Sequence, residues 1–383
     1  MKEFERLHAM SESDFYRYEG MGDTIPLTLA DTDFETAEEV AKAILERAAF
    51  PLFGYVKEDK GWAEAIVSFY KRRHGLRLSP SCLRFSTGVI ASLTASIRAF
   101  TAPGDKVAVC LPAYNGFLST IPHNGREVLG IPMKRENRSY SYDFEAMEEA
   151  FTSCRLFVYC HPYNPLGKEN TFEETERILF LAKKHGVIVF SDEIHGEILR
   201  PGLVHDPIFA HESAKDVAIM ASSPAKAFNL AGIQTSFAYA ENPSLLEALG
   251  DALYADDCGE ASSFAYVAAK ACYESGDRYL DVLNERIAKN EALFRDALSL
   301  FPFLHLVSGP ATYLLYVEAT EMEDVEDYLD YLKNVGGVAF SSGTLYGDKN
   351  HFRVNIAVPE ATLQEAIRRF VTATKQYCSK RRR

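Results

Sequence analysis

The stretch Ala221-Ser-Ser-Pro-Ala-Lys-Ala-Phe-Asn-Leu-Ala-Gly232 decides how the chain is read, because it sets Lys226 just past an apolar run and among small and polar residues. The run before it, Asp216-Val-Ala-Ile-Met220, reads as a short buried strand that Ser222-Ser-Pro224 brings to an end. Lys226 therefore lies on a turn beyond a strand end. In open α/β sheets that is where ligands bind, and a partly desolvated lysine there can lose its proton and act as an amine nucleophile. Taken alone, the segment's ordinary reading is a solvated loop lysine. The rest of the chain overturns it.

Working outward, the same strand-then-turn pattern recurs. Lys106-Val-Ala-Val-Cys-Leu111 runs into Pro112-Ala-Tyr-Asn115, Arg155-Leu-Phe-Val-Tyr-Cys160 into His161-Pro-Tyr-Asn-Pro-Leu-Gly167, and Val187-Ile-Val-Phe190 into Ser191-Asp-Glu-Ile-His195. Ser236-Phe-Ala-Tyr-Ala240 follows as a further strand. Between them lie helices. Thr171 with Glu174 forms a capping-box start for one that runs to Lys184 and stops at Gly186. Ser86-Thr-Gly-Val-Ile-Ala-Ser-Leu93 opens another that runs to Phe100, with small residues where backbone N–H groups can meet an anion. Continuous apolar strands joined by helices predict an α/β fold, a parallel or mixed sheet covered on both faces.

The flanks read differently. Residues 1–34 look irregular. Thr36 before Glu38 and Glu39 predicts a capped helix to Ala49, and Gly61–His74 is an amphipathic helix that Gly75 ends. A long helical region, Ser262–Ser299, should leave the sheet domain. Phe303–Tyr377 mixes the strand Tyr313-Leu-Leu-Tyr-Val317 with helices at 322–334 and 360–376, which reads as a smaller α+β domain. The expected division is an N-terminal segment 1–48 joining the small domain, a large cofactor-binding domain 49–282, and a small C-terminal domain 283–383.

Composition narrows the function class. A net charge of -13 argues against nucleic acid or an anionic membrane as partner, and the one basic run, Lys380-Arg-Arg-Arg383, reads as a frayed solvated tail. Seven cysteines, an odd number without a Cys-x-x-Cys pair, fit neither a disulfide framework nor a zinc site and point to a reducing, cytoplasmic setting. The start Met-Lys-Glu-Phe-Glu-Arg has no apolar core, so no secretory leader is expected, and no apolar window is long enough for a membrane span. His195 has no second ligand at metal spacing and is taken as a core or second-shell histidine, so no metal site is expected.

Four polar groups fall at strand ends or on the turns after them: Tyr114, Asn164, Asp192 and Lys226. In a doubly wound sheet such positions converge on one crevice. The set suits pyridoxal phosphate, an aldehyde cofactor that needs a lysine for a Schiff base, a carboxylate for its pyridine nitrogen, a donor to its ring hydroxyl and donors for its phosphate.

The chain resembles the fold-type I pyridoxal phosphate enzymes of aminotransferase class I/II, and most closely their cystathionine β-lyase or carbon-sulfur lyase branch. The resemblance rests on Ala-Asp-Thr-Asp-Phe at 30–34, Phe-Gly-Tyr at 53–55, Ser-Thr-Gly-Val-Ile at 86–90, Pro-Ala-Tyr at 112–114 and Asn-Pro-Leu-Gly-Lys at 164–168. It continues with Ser-Asp-Glu-Ile-His at 191–195, Lys-Ala-Phe-Asn-Leu-Ala-Gly-Ile-Gln at 226–234 and Phe-Arg-Val-Asn-Ile-Ala-Val-Pro at 352–359. It implies a mostly parallel seven-stranded sheet with a smaller α+β domain. Lys226 would hold the cofactor, Asp192 pair with its ring nitrogen and Asn164 with its ring oxygen. Tyr114 would stack on the ring, with Ile194 on the opposite side. Val89 and Ile90 with Ser223 would form the phosphate cup, and Arg353 would clamp the substrate α-carboxylate, with Ala30 and Asp31 beside it. Tyr55 resembles the tyrosine that family dimers lend to the neighbouring subunit, which implies a homodimer.

The departures border the substrate side. Ala225 stands where Ser or Thr often precedes the lysine, and Gln234 where many aminotransferases carry arginine. Leu27-Thr-Leu29 replaces a common tryptophan approach, and His161-Pro-Tyr163 a common Asn-Pro start. The resemblance implies β-elimination from an L-cysteine thioether, with transamination as the alternative because the same residues serve both. A cofactor-binding scaffold without turnover would need none of Lys226, Asp192 and Arg353.

Overall fold

The apolar runs at 106–111, 155–160, 187–190, 216–220 and 236–240 all contribute strands to one sheet, which two further strands complete. In the computed structural model, which describes residues 2–8, 10 and 15–381, that sheet contains β1 (Leu83–Ser86), β2 (Lys106–Leu111), β3 (Glu127–Pro132), β4 (Leu156–Cys160), β5 (Ile188–Asp192), β6 (Ala218–Ser222) and β7 (Ser236–Tyr239). Their spatial order is β1-β7-β6-β5-β4-β2-β3. Strands β2 to β6 run parallel, and β7 lies antiparallel to both β1 and β6. Every residue of β4, β6 and β7 is buried, as expected where helices cover both faces.

The helices are α1 (Glu38–Ala48), α2 (Lys60–His74), α3 (Val89–Phe100), α4 (Asn115–His123), α5 (Phe144–Phe151), α6 (Phe172–His185), α7 (Pro243–Ala255), α8 (Ala265–Ser275), α9 (Asp277–Leu298), α10 (Val325–Asn334) and α11 (Glu360–Arg381). Thr171 and Glu174 form the predicted capping box of α6, and Gly186 closes it in the left-handed conformation at φ 67°. A second, antiparallel sheet contains β8 (His305–Leu306), β9 (Leu314–Glu318), β10 (Ser341–Ser342) and β11 (His351–Asn355), in the order β8-β9-β11-β10. Ile25–Pro26 pairs in parallel with Val338–Ala339, which ties the N-terminal segment to the C-terminal part of the chain.

Several boundaries differ from the sequence reading, each for a local reason. Thr36 does not cap α1: the N-cap is Ala37 without a side-chain bond, and the Thr36 hydroxyl has no partner among the described residues. α3 begins at Val89 rather than Ser86 because Leu83–Ser86 is drawn into the sheet opposite β7. β6 lies two residues further on, since Glu212–Asp216 is a 3-10 turn and Glu193 N–H bonds Ala221 O at the far end. The helical run 262–299 breaks at Gly276, where a Cβ would stand 2.3 Å from Phe228 Cζ and 2.4 Å from Cys272 O. The basic tail is helical as far as the description goes: α11 carries Lys380, whose Nζ lies 4.9 Å from the Tyr331 ring centre. Residues 382 and 383 lie outside the described residues.

For function the consequence is one edge. Register pairs Cys160 with Asp192 and Asp192 with Ala221, so the turns after β2, β4, β5 and β6 open on the same side of the sheet. Cys82, Cys110, Cys154, Cys160, Cys258 and Cys272 are free thiols. No helix of the described residues is long and apolar enough to cross a membrane.

Candidate active site

At that edge lies a cavity of about 220 Å³ whose wall includes Ala30, Val89, Ile90, Tyr114, Asn164, Asp192, Ile194, Ser223 and Lys226. Nine of the residues singled out in the sequence are thus brought together. Lys226 follows β6, and its Nζ donates to Ala30 O at 2.6 Å and lies 3.4 Å from Asp31 Oδ1. The segment that receives it is held from behind: Asn355 Nδ2 donates to Leu29 O and Asp31 O at 2.5 and 2.6 Å, and Tyr313 Oη donates to Ala30 O at 2.9 Å. Asp31 touches the lysine without lining the cavity.

Asp192, the last residue of β5, is buried, and its carboxylate accepts from Ile194 N at 3.1 Å. No cationic side chain pairs with it among the described residues. Burial therefore dominates and pushes its carboxyl up to about 7, with Glu193 adding to the rise and Ile194 N–H and Lys226 opposing it. A cationic N–H arriving in the cavity would meet this carboxylate as its missing partner.

Asn164 and Arg353 form a second unit. Arg353 Nη1 donates to Asn164 Oδ1 at 3.1 Å. A guanidinium can only donate, so the amide oxygen must face it. Nothing accepts from the Asn164 amide NH2 among the described residues, which leaves it free for a ligand. Arg353 is itself buried, with its carbon Cζ 4.7 Å from the Tyr346 ring centre and Nε without a partner. No carboxylate pairs with it among the described residues, and a guanidinium fork can bind a planar carboxylate through two parallel hydrogen bonds. It does not line the cavity and meets it through its bond to Asn164.

The anion end is built from backbone. The N-cap of α3, Gly88, offers no side-chain bond, and the amides of Val89 and Ile90 donate to nothing among the described residues, so the positive helix end faces the cavity unoccupied by protein. Ser223 is partly engaged already: its hydroxyl donates to Thr235 O at 2.5 Å and accepts from Ala225 N at 3.0 Å. Thr235, missed in the sequence, lines the same cavity with a buried hydroxyl that has no partner among the described residues.

Tyr114, the N-cap residue of α4, packs edge-on against Phe117 at 5.3 Å. Burial above all, then Asp192, raises its pKa, so the phenol stays protonated. His195 is buried and also lines the cavity, with Nδ1 unpartnered among the described residues, and burial first, then Lys226 and Arg353, push its pKa down to about 3, so the ring is neutral. Tyr55 lies on a different surface. It is 99% exposed and borders a separate surface cavity of about 850 Å³ with Arg84 and Tyr254.

The aminotransferase class I and II family profile matches residues 22–370. A relative in Bacillus subtilis (strain 168), cystathionine beta-lyase PatB, is 32% identical over 365 residues, which cover 92% of this chain and 93% of that protein. The PLP-bound putative aminotransferase from Clostridium difficile 630 superposes with a TM-score of 0.92 at 28% identity, over 97% of this chain and 99% of that one. The PLP-bound C-S lyase from Staphylococcus hominis superposes with a TM-score of 0.89 at 28% identity, over 97% of each chain.

Proposed function

This chain belongs to the aminotransferase class I and II family, and from that membership we propose that it is a pyridoxal 5'-phosphate-dependent carbon-sulfur β-lyase. It would cleave an L-cysteine thioether to pyruvate, ammonia and a thiol. The observation that carries the cofactor is Asp192, a buried carboxylate without a cation, in the same cavity as an amine, an open helix N-terminus and a free amide NH2. The donor set fits the group: Lys226 for the aldehyde, Asp192 for the ring nitrogen, Asn164 for the ring oxygen, Tyr114 and Ile194 for the ring faces. Val89 and Ile90 amides, with Ser223 and Thr235, would take the phosphate.

When bound, the cofactor supplies an electron sink conjugated to the substrate's α-carbon. Everything else falls to the chain. Arg353 holds the α-carboxylate through charge-assisted hydrogen bonds and so fixes which face of the substrate meets Lys226. Lys226 Nζ, the only lysine amine lining the cavity among the described residues, takes the α-proton as general base. The Cβ–S bond breaks with its electron pair leaving on sulfur, and the thiolate collects a proton to depart as thiol. Water completes the products. Asp192 would pair with the ring nitrogen and favour its protonated form, which a neutral residue would not.

The elimination reading is supported by PatB's name and by Gln234 in place of an arginine. The second reading, an aminotransferase, is favoured by the structural likeness to a putative aminotransferase and by a cavity whose residues serve either outcome. Exposed Phe50, Leu52, Phe53 and Tyr55 suit burial against a second copy, so the proposed working form is a cytoplasmic homodimer in which Tyr55 reaches the neighbouring cavity. The test is turnover of L-cystathionine by reconstituted enzyme without any keto acid. Equimolar pyruvate, ammonia and thiol support the lyase, whereas a strict requirement for keto acid overturns it in favour of the aminotransferase.

A further inference from the structure

Outside the cavity lining, starting from the residue that follows β4, three side chains come together: His161, Glu169 and His205. One ligand atom from each lies within 4.8 Å of the other two. His205 Nδ1 is 2.9 Å from Glu169 Oε1, and His161 Nε2 is 3.7 Å from the same oxygen. Asp206 O adds a fourth donor at 2.9 Å from His161 Nε2. We propose that these groups form a binding site for a divalent transition-metal ion of the zinc type.

The spacing suits such an ion. Metal-ligand bonds of about 2.0–2.2 Å in a tetrahedron place neighbouring ligand atoms about 3.3–3.5 Å apart, between the two separations to Glu169 Oε1. Two imidazoles with a carboxylate and a carbonyl are the borderline N/O donors that zinc and cobalt accept. An outer shell is already built. His205 Nε2 meets Glu193 Oε2 at 3.1 Å, and Glu193 Oε1 accepts from Ser191 Oγ at 2.8 Å and Ile208 N at 2.9 Å. This is the carboxylate-histidine arrangement that orients metal ligands.

His161 can adapt to the ion. Its Nδ1 now accepts from Asn170 Nδ2 at 3.0 Å, and Asn170 otherwise meets Tyr142 Oη and Tyr159 Oη. Turning that amide over puts its oxygen on His161 Nδ1. Tyr142 Oη then accepts from the amide NH2 and Tyr159 Oη donates to its oxygen, which costs one bond in the Tyr159–Thr175–Thr171 chain and frees His161 Nε2 for the metal.

Charge argues the same way. Glu169 and Glu193 bring two negative charges to a cluster in which His161, His205 and Glu193 are almost wholly buried. Glu169 Oε2 has no partner among the described residues. A divalent ion balances both. A cleft of about 460 Å³ lined by His74, Glu197 and Val204 reaches His205. The ion would also brace the active site, because His161 N donates to Asp192 O at 2.9 Å.

The test uses holoenzyme stripped of metal with a chelator and freed of unbound cofactor, then titrated with Zn2+ and, separately, Co2+. The expected result is one ion per chain at micromolar affinity or tighter, with Co2+ giving visible tetrahedral bands and no near-ultraviolet sulfur charge-transfer band. His161→Asn and Glu169→Gln should each weaken binding by at least about 10–100-fold, the loss that even an outer-shell partner causes. Absence of stoichiometric binding, a sulfur band marking cysteine ligation, or affinity untouched by both variants would overturn the assignment. The native Co2+ spectrum decides the matter even if a variant does not fold.

Discussion

Replacing Asp192 with Asn should make the cofactor-free protein more stable while destroying its activity. Burial pushes the Asp192 carboxyl from 3.8 up to about 7. At about 1.4 kcal/mol per tenfold, that distance means holding the ionised group costs about 4 kcal/mol in the empty cavity. A raised folded pKa makes the penalty fully present above about pH 7, and relieves it as pH falls through that value toward the unfolded one near 4. Asn keeps the hydrogen bond from Ile194 N through its oxygen and carries no charge, but its NH2 needs an acceptor, which offsets part of the gain. The expected stabilisation of the apoprotein is therefore about 2–4 kcal/mol at pH near 8, shrinking toward zero at pH near 4. Urea unfolding of both apoproteins across that range, compared at a common slope, measures it. In the presence of pyridoxal phosphate the order should reverse, because only the carboxylate gains a cationic partner. An Asp192→Asn apoprotein less stable than its parent at pH near 8, or a difference that ignores pH, would refute the reasoning that Asp192 is held ready for a cation.

Other substitutions test the remaining parts of the site. Lys226→Ala should leave a folded protein that borohydride no longer links to pyridoxal phosphate and that releases no pyruvate; a peptide map and a product assay check both. Arg353→Lys should raise KM by about 10–100-fold with a smaller change in kcat, since it removes a charge-assisted bond of about 1.5–3 kcal/mol made to the substrate before chemistry. Thr235→Val should weaken cofactor affinity by a comparable factor without lowering apoprotein stability, because its hydroxyl has no protein partner to lose; equilibrium dialysis reads the first and thermal unfolding the second. Gly276→Ala should destabilise by about 1–3 kcal/mol, as its methyl would collide with Phe228 and Cys272 O.

What could be read in advance follows from how local each signal is. Strands β2 and β4 are unbroken apolar runs that both faces bury, and turn residues mark their ends, so the sheet and its functional edge were legible. β1 was hidden because Leu83-Arg-Phe-Ser86 is short and mixed, and becomes a strand only through pairing with β7. β3 was hidden because, as an edge strand, it is largely exposed and lacks an apolar signature. At the site, Lys226, Asp192, Asn164 and Tyr114 were visible as polar residues at strand ends. Thr235 was not, since only the cavity reveals that its hydroxyl is unpartnered. His195 lacked a metal spacing and was set aside, yet its place on the wall depends on how the chain turns after β5. Tyr55 belongs to a surface that one chain leaves open. The separations among His161, Glu169 and His205 likewise carry no motif, because tertiary folding alone joins them.

The central claim is that this cavity performs elimination, and a single turnover tests it most directly. Holoenzyme in excess is mixed with L-cystathionine without keto acid, and the thiol released is followed together with the absorbance of the bound cofactor. The account predicts thiol equal to the substrate consumed, with pyruvate beside it and the cofactor's aldehyde form restored. Conversion of the cofactor to its amine form with no thiol released would contradict it.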